Sequence, residues 1–444
     1  MGQTSKLNGI LHYVKAQPSK HRSQARINAM CIMMEGLFST LGHDIVGVTT
    51  IIPLFMADLG ISMGVIGGMS TVRYVCSGVM PLLAGGPVAA ARSKRNLSII
   101  INSIGRGSIL LIPLMLAVGL PKELFIMLFI GIMVLFHICQ PVTGISWNYL
   151  LGSCVPADQR GKLLGTLFGI SGLISFMSSA IIKAIRSSPH LALMDQYKWI
   201  LFLGGTLMVM SVLCYIPLRE SETVVSAKEE RSVKAYLLAL AGCFQSREYN
   251  WAIAANACSS VSMAVTTFLF VFAQNQLGLS GANVSNLLII QTAGIMVGGF
   301  LNGRVSARFG IKRMLLAAES AALFVPIFCL ISLNLVSGNS PSGNLPLICA
   351  GAAVCLMGFA RGGMIGYQAY ILEVMDPRRT IYGIVAKGIA LLPFSFVSLI
   401  IGSFLETHSY RPVFIFQIAA ALLALFCVNR LKLIVYTKKD KPAE

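Results

Sequence analysis

Charge is what this 444-residue sequence has least of. Only 12% of its residues are Asp, Glu, Lys or Arg, about half the share found in soluble globular domains, whereas 55% are hydrophobic and the mean hydropathy is +0.75. That excludes a chain of water-facing helices and points to an integral membrane protein, because apolar runs of bilayer-crossing length recur almost without interruption. The 11 cysteines include no Cys-x-x-Cys pair and no Cys/His cluster with ligand spacing, so no metal centre is expected and they read as small hydrophobes. A phosphate-cradling Gly-x-x-x-x-Gly-Lys-Ser/Thr loop is missing too: the one Gly-Lys, Gly161-Lys162, has Pro156 where the first glycine belongs. ATP-driven work and a cofactor are therefore not expected. No nucleophile with a base and no paired acids emerge, so the chain does not read as an enzyme. A cleaved secretory signal is likewise missing, since the first 26 residues are polar and basic and the apolar segment after them is too long for one.

What is present is a set of twelve apolar runs of roughly 17 to 25 residues. They are placed at Ala29–Phe55, Met63–Leu83, Leu97–Gly119, Leu124–Trp147, Leu163–Ala184 and Trp199–Pro217, then at Trp251–Phe272, Val284–Phe300, Met314–Leu335, Leu345–Ala369, Gly383–Phe404 and Val413–Val428. The fold class expected is all-α, with twelve membrane helices in two six-helix bundles. Lys and Arg test the count, because they should collect on the cytoplasmic side. In this register 27 fall on one side, Lys387 among them, and five on the other. The split places both termini in the cytoplasm of a cell bounded by the plasma membrane, and it explains the net charge of +18 without nucleic acid.

The longest polar connection, Arg219 to Asn250, ends in "AYLLALAGCF" and reads as a cytoplasmic linker with an interfacial helix. The expected organisation is a tail over 1–26, a first bundle over 27–218, the linker over 219–250, a second bundle over 251–430 and a tail over 431–444. Two turns recur at matching places in the halves: "GPVAAARSKR" at Gly86–Arg95 with "GRVSARFGIK" at Gly303–Lys312, and "VPADQRGKLLG" with "VMDPRRTIYG". Such internal repetition marks transporters assembled from related bundles.

These residues resemble the major facilitator superfamily, whose turn between helices 2 and 3 reads approximately Gly-x-x-x-Asp-Arg-x-Gly-Arg-Lys/Arg-Arg. The second half carries Gly303, Arg308, Gly310, Lys312 and Arg313, with Ala307 where the family has Asp; the first half keeps Gly86, Lys94 and Arg95. The resemblance implies a secondary transporter that works by alternating access. It also implies that these turns clasp the bundles together on the cytoplasmic side in the outward-open state, and that helices 1, 4, 7 and 10 line a central cavity. An uncoupled facilitator and a sensor that has lost transport stay open as alternatives.

The chemistry rests on the few ionisable groups inside the spans, each costing about 2.5 to 3.5 kcal/mol in hydrocarbon unless sheltered. "MMEGLFSTLGHDIVG" alone places Glu35, His43 and Asp44 in the first span. Glu35, Asp44, His43 and Glu319 are the candidates for proton coupling. Glu35 is expected to pair with Arg73 or Glu319 with Arg361, and Asp44 with Arg73 or Arg106. Glu319 reads equally well as an ion pair clasping the bundles near "RFGIKR". Arg73, Arg361, His137, Gln140, Asn256, Gln291, Tyr367 and Gln368 are the candidates for lining a substrate cavity, with Ser39, Thr40, Ser259 and Ser260 beside them. A sheltered guanidinium favours an anionic or zwitterionic small-molecule substrate. The expected partners are that solute, protons and the lipid bilayer, for a monomeric protein.

Overall fold

The computed structural model describes residues 3–155, 157–220, 233–337, 344–375 and 380–433. Among them the regular structure is helical throughout. In lipid each backbone N–H and C=O must be satisfied inside the chain, which leaves an isolated apolar run of this length no alternative to a helix. Ten helices are long and apolar enough to cross: Arg26–Asp58 (span 1), Lys94–Val118 (span 3), Lys122–Cys154 (span 4), Leu193–Leu213 (span 6), Arg247–Asn275 (span 7), Gly281–Phe309 (span 8), Ile311–Val336 (span 9), Leu345–Ile371 (span 10), Tyr382–Leu405 (span 11) and Tyr410–Asn429 (span 12). Met63–Ala90 (span 2) and Ala157–Arg186 (span 5), of 28 and 30 residues, complete the twelve.

Spans 1 to 6 pack chiefly on one another, as do spans 7 to 12. The bundles meet where span 2 runs beside span 11 and span 5 beside span 8. Adding six to one contact produces the other, so the interface itself carries the pseudo-twofold relation between the halves. The helix holding span 1 starts at Gln3, so the residues read as a tail continue the helix rather than leaving it. In the linker, Val233–Cys243 is a helix whose Leu240 and Cys243 join an apolar cluster with Tyr249, Ile253 and Met375 of the second bundle. Residues 221–232 of the linker, 434–444 of the tail, Pro156 and 376–379 of the second pair of repeated turns lie outside the described residues.

Several spans are interrupted. Span 1 breaks between Val46 and Ile51, where Gly47 takes φ 57°, a conformation that costs other residues, and where a side chain at 47 would meet Thr50 Oγ1 at 2.6 Å. Span 10 divides into Leu345–Gly363 and Ile365–Val374. Spans 7 and 11 tighten into 3-10 turns at Val265–Phe268 and Leu392–Phe396. Irregular backbone at membrane depth is tolerated where it borders protein or a wet cavity.

An even number of spans puts both chain ends on one face. Five hydrogen bonds seen between the bundles lie toward the opposite face. They join Gln274 Nε2 to Asp58 Oδ1 at 2.6 Å, the Gly64 amide to Glu406 Oε1 at 2.9 Å, Ser70 to Thr267 at 3.1 Å, Thr71 Oγ1 to the Ser395 carbonyl at 2.9 Å, and Ser179 to Thr292 at 2.7 Å. Backbone contact accompanies them: an added Cβ at Gly67 would stand 2.1 Å from the Ser398 carbonyl oxygen. The far face is shut, and the cavities described next lie between it and the face that carries the termini.

Candidate functional site

A cavity of about 500 Å3 lies between the bundles. Span 2 contributes Arg73, Tyr74 and Ser77, which share a helix face at i, i+1 and i+4. Span 7 contributes Asn256 and Ser260, span 10 Arg361 and Met364, span 11 Lys387, and the broken turn of span 1 supplies Thr49. The fields of Arg73 and Asp44 both reach Arg361. Asp44 itself accepts a hydrogen bond from Ser175 Oγ on span 5. The Arg73 guanidinium rests 4.5 Å from the centre of the Tyr74 ring. These side chains combine fixed positive charge with neutral hydrogen-bonding groups, a wall suited to holding a polar solute.

A second cavity of about 420 Å3 sits inside the first bundle, lined by Glu35, Ser39, Thr40, His43, Arg106 and Gln140 among others. At its back Arg106 Nη1 meets Glu35 Oε1 at 2.8 Å, with the two residues 6% and 2% exposed, and the same nitrogen donates to Ser211 Oγ. His43 donates from Nδ1 to the Ser39 carbonyl at 2.7 Å, which leaves Nε2 to accept from the Gln140 amide. The neutral ring with its proton on Nδ1 satisfies both partners.

The structure redistributes the expected pairings. Glu35 pairs with Arg106 and not with Arg73, so the arginine expected beside Asp44 holds the other first-span acid. Asp44 faces Ser175 and forms an ion pair with neither Arg73 nor Arg106. Glu319 is fully buried inside the second bundle. It forms no ion pair with Arg361 and none with the "RFGIKR" turn. Tyr367 instead donates to its Oε1 at 2.7 Å while Oε2 has no hydrogen-bond partner. The physical reason is common to all three: residue spacing sets depth along a helix, and only packing sets which neighbour the side chain faces.

Of the expected cavity residues, Arg73, Asn256 and Arg361 share the central cavity, and Gln140 lines the one in the first bundle. His137 is buried beside a small void that Arg73 also borders, with no partner for Nε2. Gln291 is buried against Met357 Sδ at 4.0 Å, Tyr367 is engaged with Glu319, and Gln368 is exposed. Those four do not line the central cavity. Lys387 does, although the charge count placed it in a loop. Its place inside a span was legible, four residues into the run that begins at Gly383, but not the direction it faces.

The repeated turns are held within their own halves. Glu220, at the end of the first bundle, accepts from Ser93 Oγ at 2.7 Å, the Lys94 amide at 3.1 Å and the Arg95 amide at 2.7 Å, capping span 3 with the acid that the turn itself lacks. Arg95 also donates to the Leu218 carbonyl at 3.0 Å. In the second half Lys312 Nζ donates to the Asn429 carbonyl at 2.6 Å, Arg308 and Arg313 lie over Phe309, and Gly310 turns the chain at φ 87°. Gly86 sits within span 2 and Gly303 faces open space within span 8. Each of these bonds, among the described residues, stays within its own bundle, in keeping with a terminal face that is open.

The profile of the Major Facilitator Superfamily matches residues 30–390 and 255–444. No curated relative matches this sequence. Solved structures of similar shape include a mutant form of the nucleoside transporter NupG, at 14% identity over 90% of this chain and 99% of that one, with a TM-score of 0.67. A D-xylose-proton symporter is similar at 13% identity over 92% and 97%, TM-score 0.66, and the E. coli fucose:proton symporter at 15% over 92% and 98%, TM-score 0.56. At such identities the likeness is one of fold.

Proposed function

The chain belongs to the Major Facilitator Superfamily, and from that premise we propose that it is a proton-coupled secondary transporter moving a small organic solute with anionic character by alternating access. The observation that carries this reading is the central cavity, where Arg73 from one bundle and Arg361 from the other face one space with Asn256 and Ser260. A solute held by groups from both halves is bound and released as the halves rock. The protein works as a monomer in the plasma membrane, with both termini in the cytoplasm.

Glu319 and Asp44 are the carboxyls suited to exchanging a proton. Glu319 is buried and Asp44 half-buried, and each is hydrogen-bonded to a hydroxyl instead of paired with a cation. Glu35 is already neutralised by Arg106 and keeps a structural role. That same pair favours a second reading, an uncoupled facilitator in which buried acids serve only to balance arginines.

Uptake into proteoliposomes separates the two. With a pH difference imposed, accumulation above equilibrium is expected, and Glu319→Gln and Asp44→Asn should reduce it to equilibration. If the gradient has no effect on flux and both variants transport as the parent does, the facilitator reading stands and proton coupling falls.

A further inference from the structure

Three cations line the central cavity: Arg73, Arg361 and Lys387, from three spans and both bundles. No Asp or Glu is among the lining residues. Asp44 is the carboxyl whose field reaches Arg361, and it is engaged by Ser175. The ion pairs seen between described side chains, Arg106 with Glu35 and Lys198 with Asp195, include none of these three cations. Three positive groups set against one carboxylate leave the site with an excess of two positive charges, in surroundings where like charges repel far more than in water.

We infer that the cargo is a small organic dianion and that Lys387 is the residue that selects for its second negative charge. The inference rests on the cavity being the transport site, and it narrows the solute within that reading. A zwitterion would bring an ammonium group to a wall without a carboxylate to receive it. A neutral solute would leave that excess of two positive charges uncompensated.

The placement of Lys387 separates its role from that of the arginines. Its neighbour Gly388 packs on Gly78, with the Gly78 Cα 4.0 Å from the position of an added Cβ. Gly78 is five residues beyond Arg73 on span 2, which sets Lys387 roughly 7.5 Å nearer the terminal face. The two guanidiniums therefore hold one end of the solute deep in the cavity, and the ammonium meets the rest of it closer to the mouth. The shared chemistry is two negative charges, on two carboxylates or on one phosphate monoester.

Thermal unfolding of the purified full-length protein, titrated with matched compounds, tests this. Succinate is compared with its monoamide, a hexose 6-phosphate with the free hexose, and a zwitterionic amino acid serves as a further control. The expected result is that succinate or the hexose phosphate raises the unfolding temperature, while the compounds lacking the second charge bind at least about tenfold more weakly. Which of the two dianions responds identifies the source of charge. Lys387→Gln should lower the affinity for the dianion by about tenfold and leave that for the monoamide unchanged, and Lys387→Arg should restore it. Equal binding by the monoamide, the free hexose or the amino acid overturns the inference. So does a Lys387→Gln protein with undiminished dianion affinity, or the lack of any response to both dianions. Because binding is read without flux, a chain that binds a dianion but transports nothing refutes the transporter reading and leaves this one intact. Gradient-driven flux of a neutral solute would do the reverse.

Discussion

Arg106 and Glu35 illustrate how a buried charge pair constrains a membrane protein at the level of single residues. With the two groups 2.8 Å apart and almost wholly out of water, deleting one leaves the other uncompensated, which costs about 3–5 kcal/mol. Arg106→Met should therefore lower the unfolding temperature of the purified protein sharply. The double change Arg106→Met with Glu35→Met should recover most of the loss, since it removes both charges together. A single variant as stable as the parent would show that the pair is not needed to hold spans 1 and 3 together. That such groups must be sheltered follows from their position in apolar runs. Their partners do not: Arg73 and Arg106 both stand about midway along their helices, and the choice between them depends on how the spans are rotated.

At the scale of the helix, small residues have consequences that their spacing alone does not reveal. Gly358 on span 10 packs so closely on span 8 that an added Cβ would lie 2.2 Å from the Gln291 carbonyl oxygen, whereas a Cβ added at Gly299 or Gly303 would meet nothing within 4 Å. All of these glycines belong to four-residue repeats in the sequence, yet only some of them lack room for a side chain. Gly358→Ala should cost about 1–3 kcal/mol by overpacking, read as a fall in thermal stability, and Gly299→Ala should leave stability unchanged. The opposite ranking would contradict the packing described. The twelve runs and their order were readable from apolar length. The breaks in spans 1 and 10 were less so, because glycine permits a break and the surrounding packing decides whether one occurs.

For the whole molecule, the shut face is the feature with the clearest pH dependence. Hydrogen bonds from Ser62 and the Gly64 amide hold the Glu406 carboxyl, which lies beyond the end of span 11, below the ordinary carboxylate pKa. A pKa lowered in the closed arrangement means that the ionised group favours closure. That contribution is complete above the ordinary value of about 4.3 and is lost as pH falls through the lowered one. Glu406→Ala should act as acid does, raising the labelling rate of a cysteine placed at the buried contact residue Thr267. A labelling rate unmoved by either change would show that Glu406 does not hold this face. Charge also bears on energetics across the membrane: carrying two negative charges against 100 mV costs about 4.6 kcal/mol, so entry of a dianion would require accompanying protons or exchange.

Composition and apolar run length determined the membrane class and the number of spans, because the bilayer's thickness and its exclusion of unpaired backbone groups admit few other outcomes. The repeated turns pointed to the family, and the rarity of charge inside the spans singled out most of the charged residues that line the two cavities. The pairing of Glu35 with Arg106, the isolation of Glu319 beside Tyr367, the capping of span 3 by Glu220 and the entry of Lys387 into the central cavity were decided only by the tertiary structure. Each depends on azimuth and on contacts between residues far apart in the chain. A linear pattern records the depth of a side chain in the membrane but not the direction in which it points.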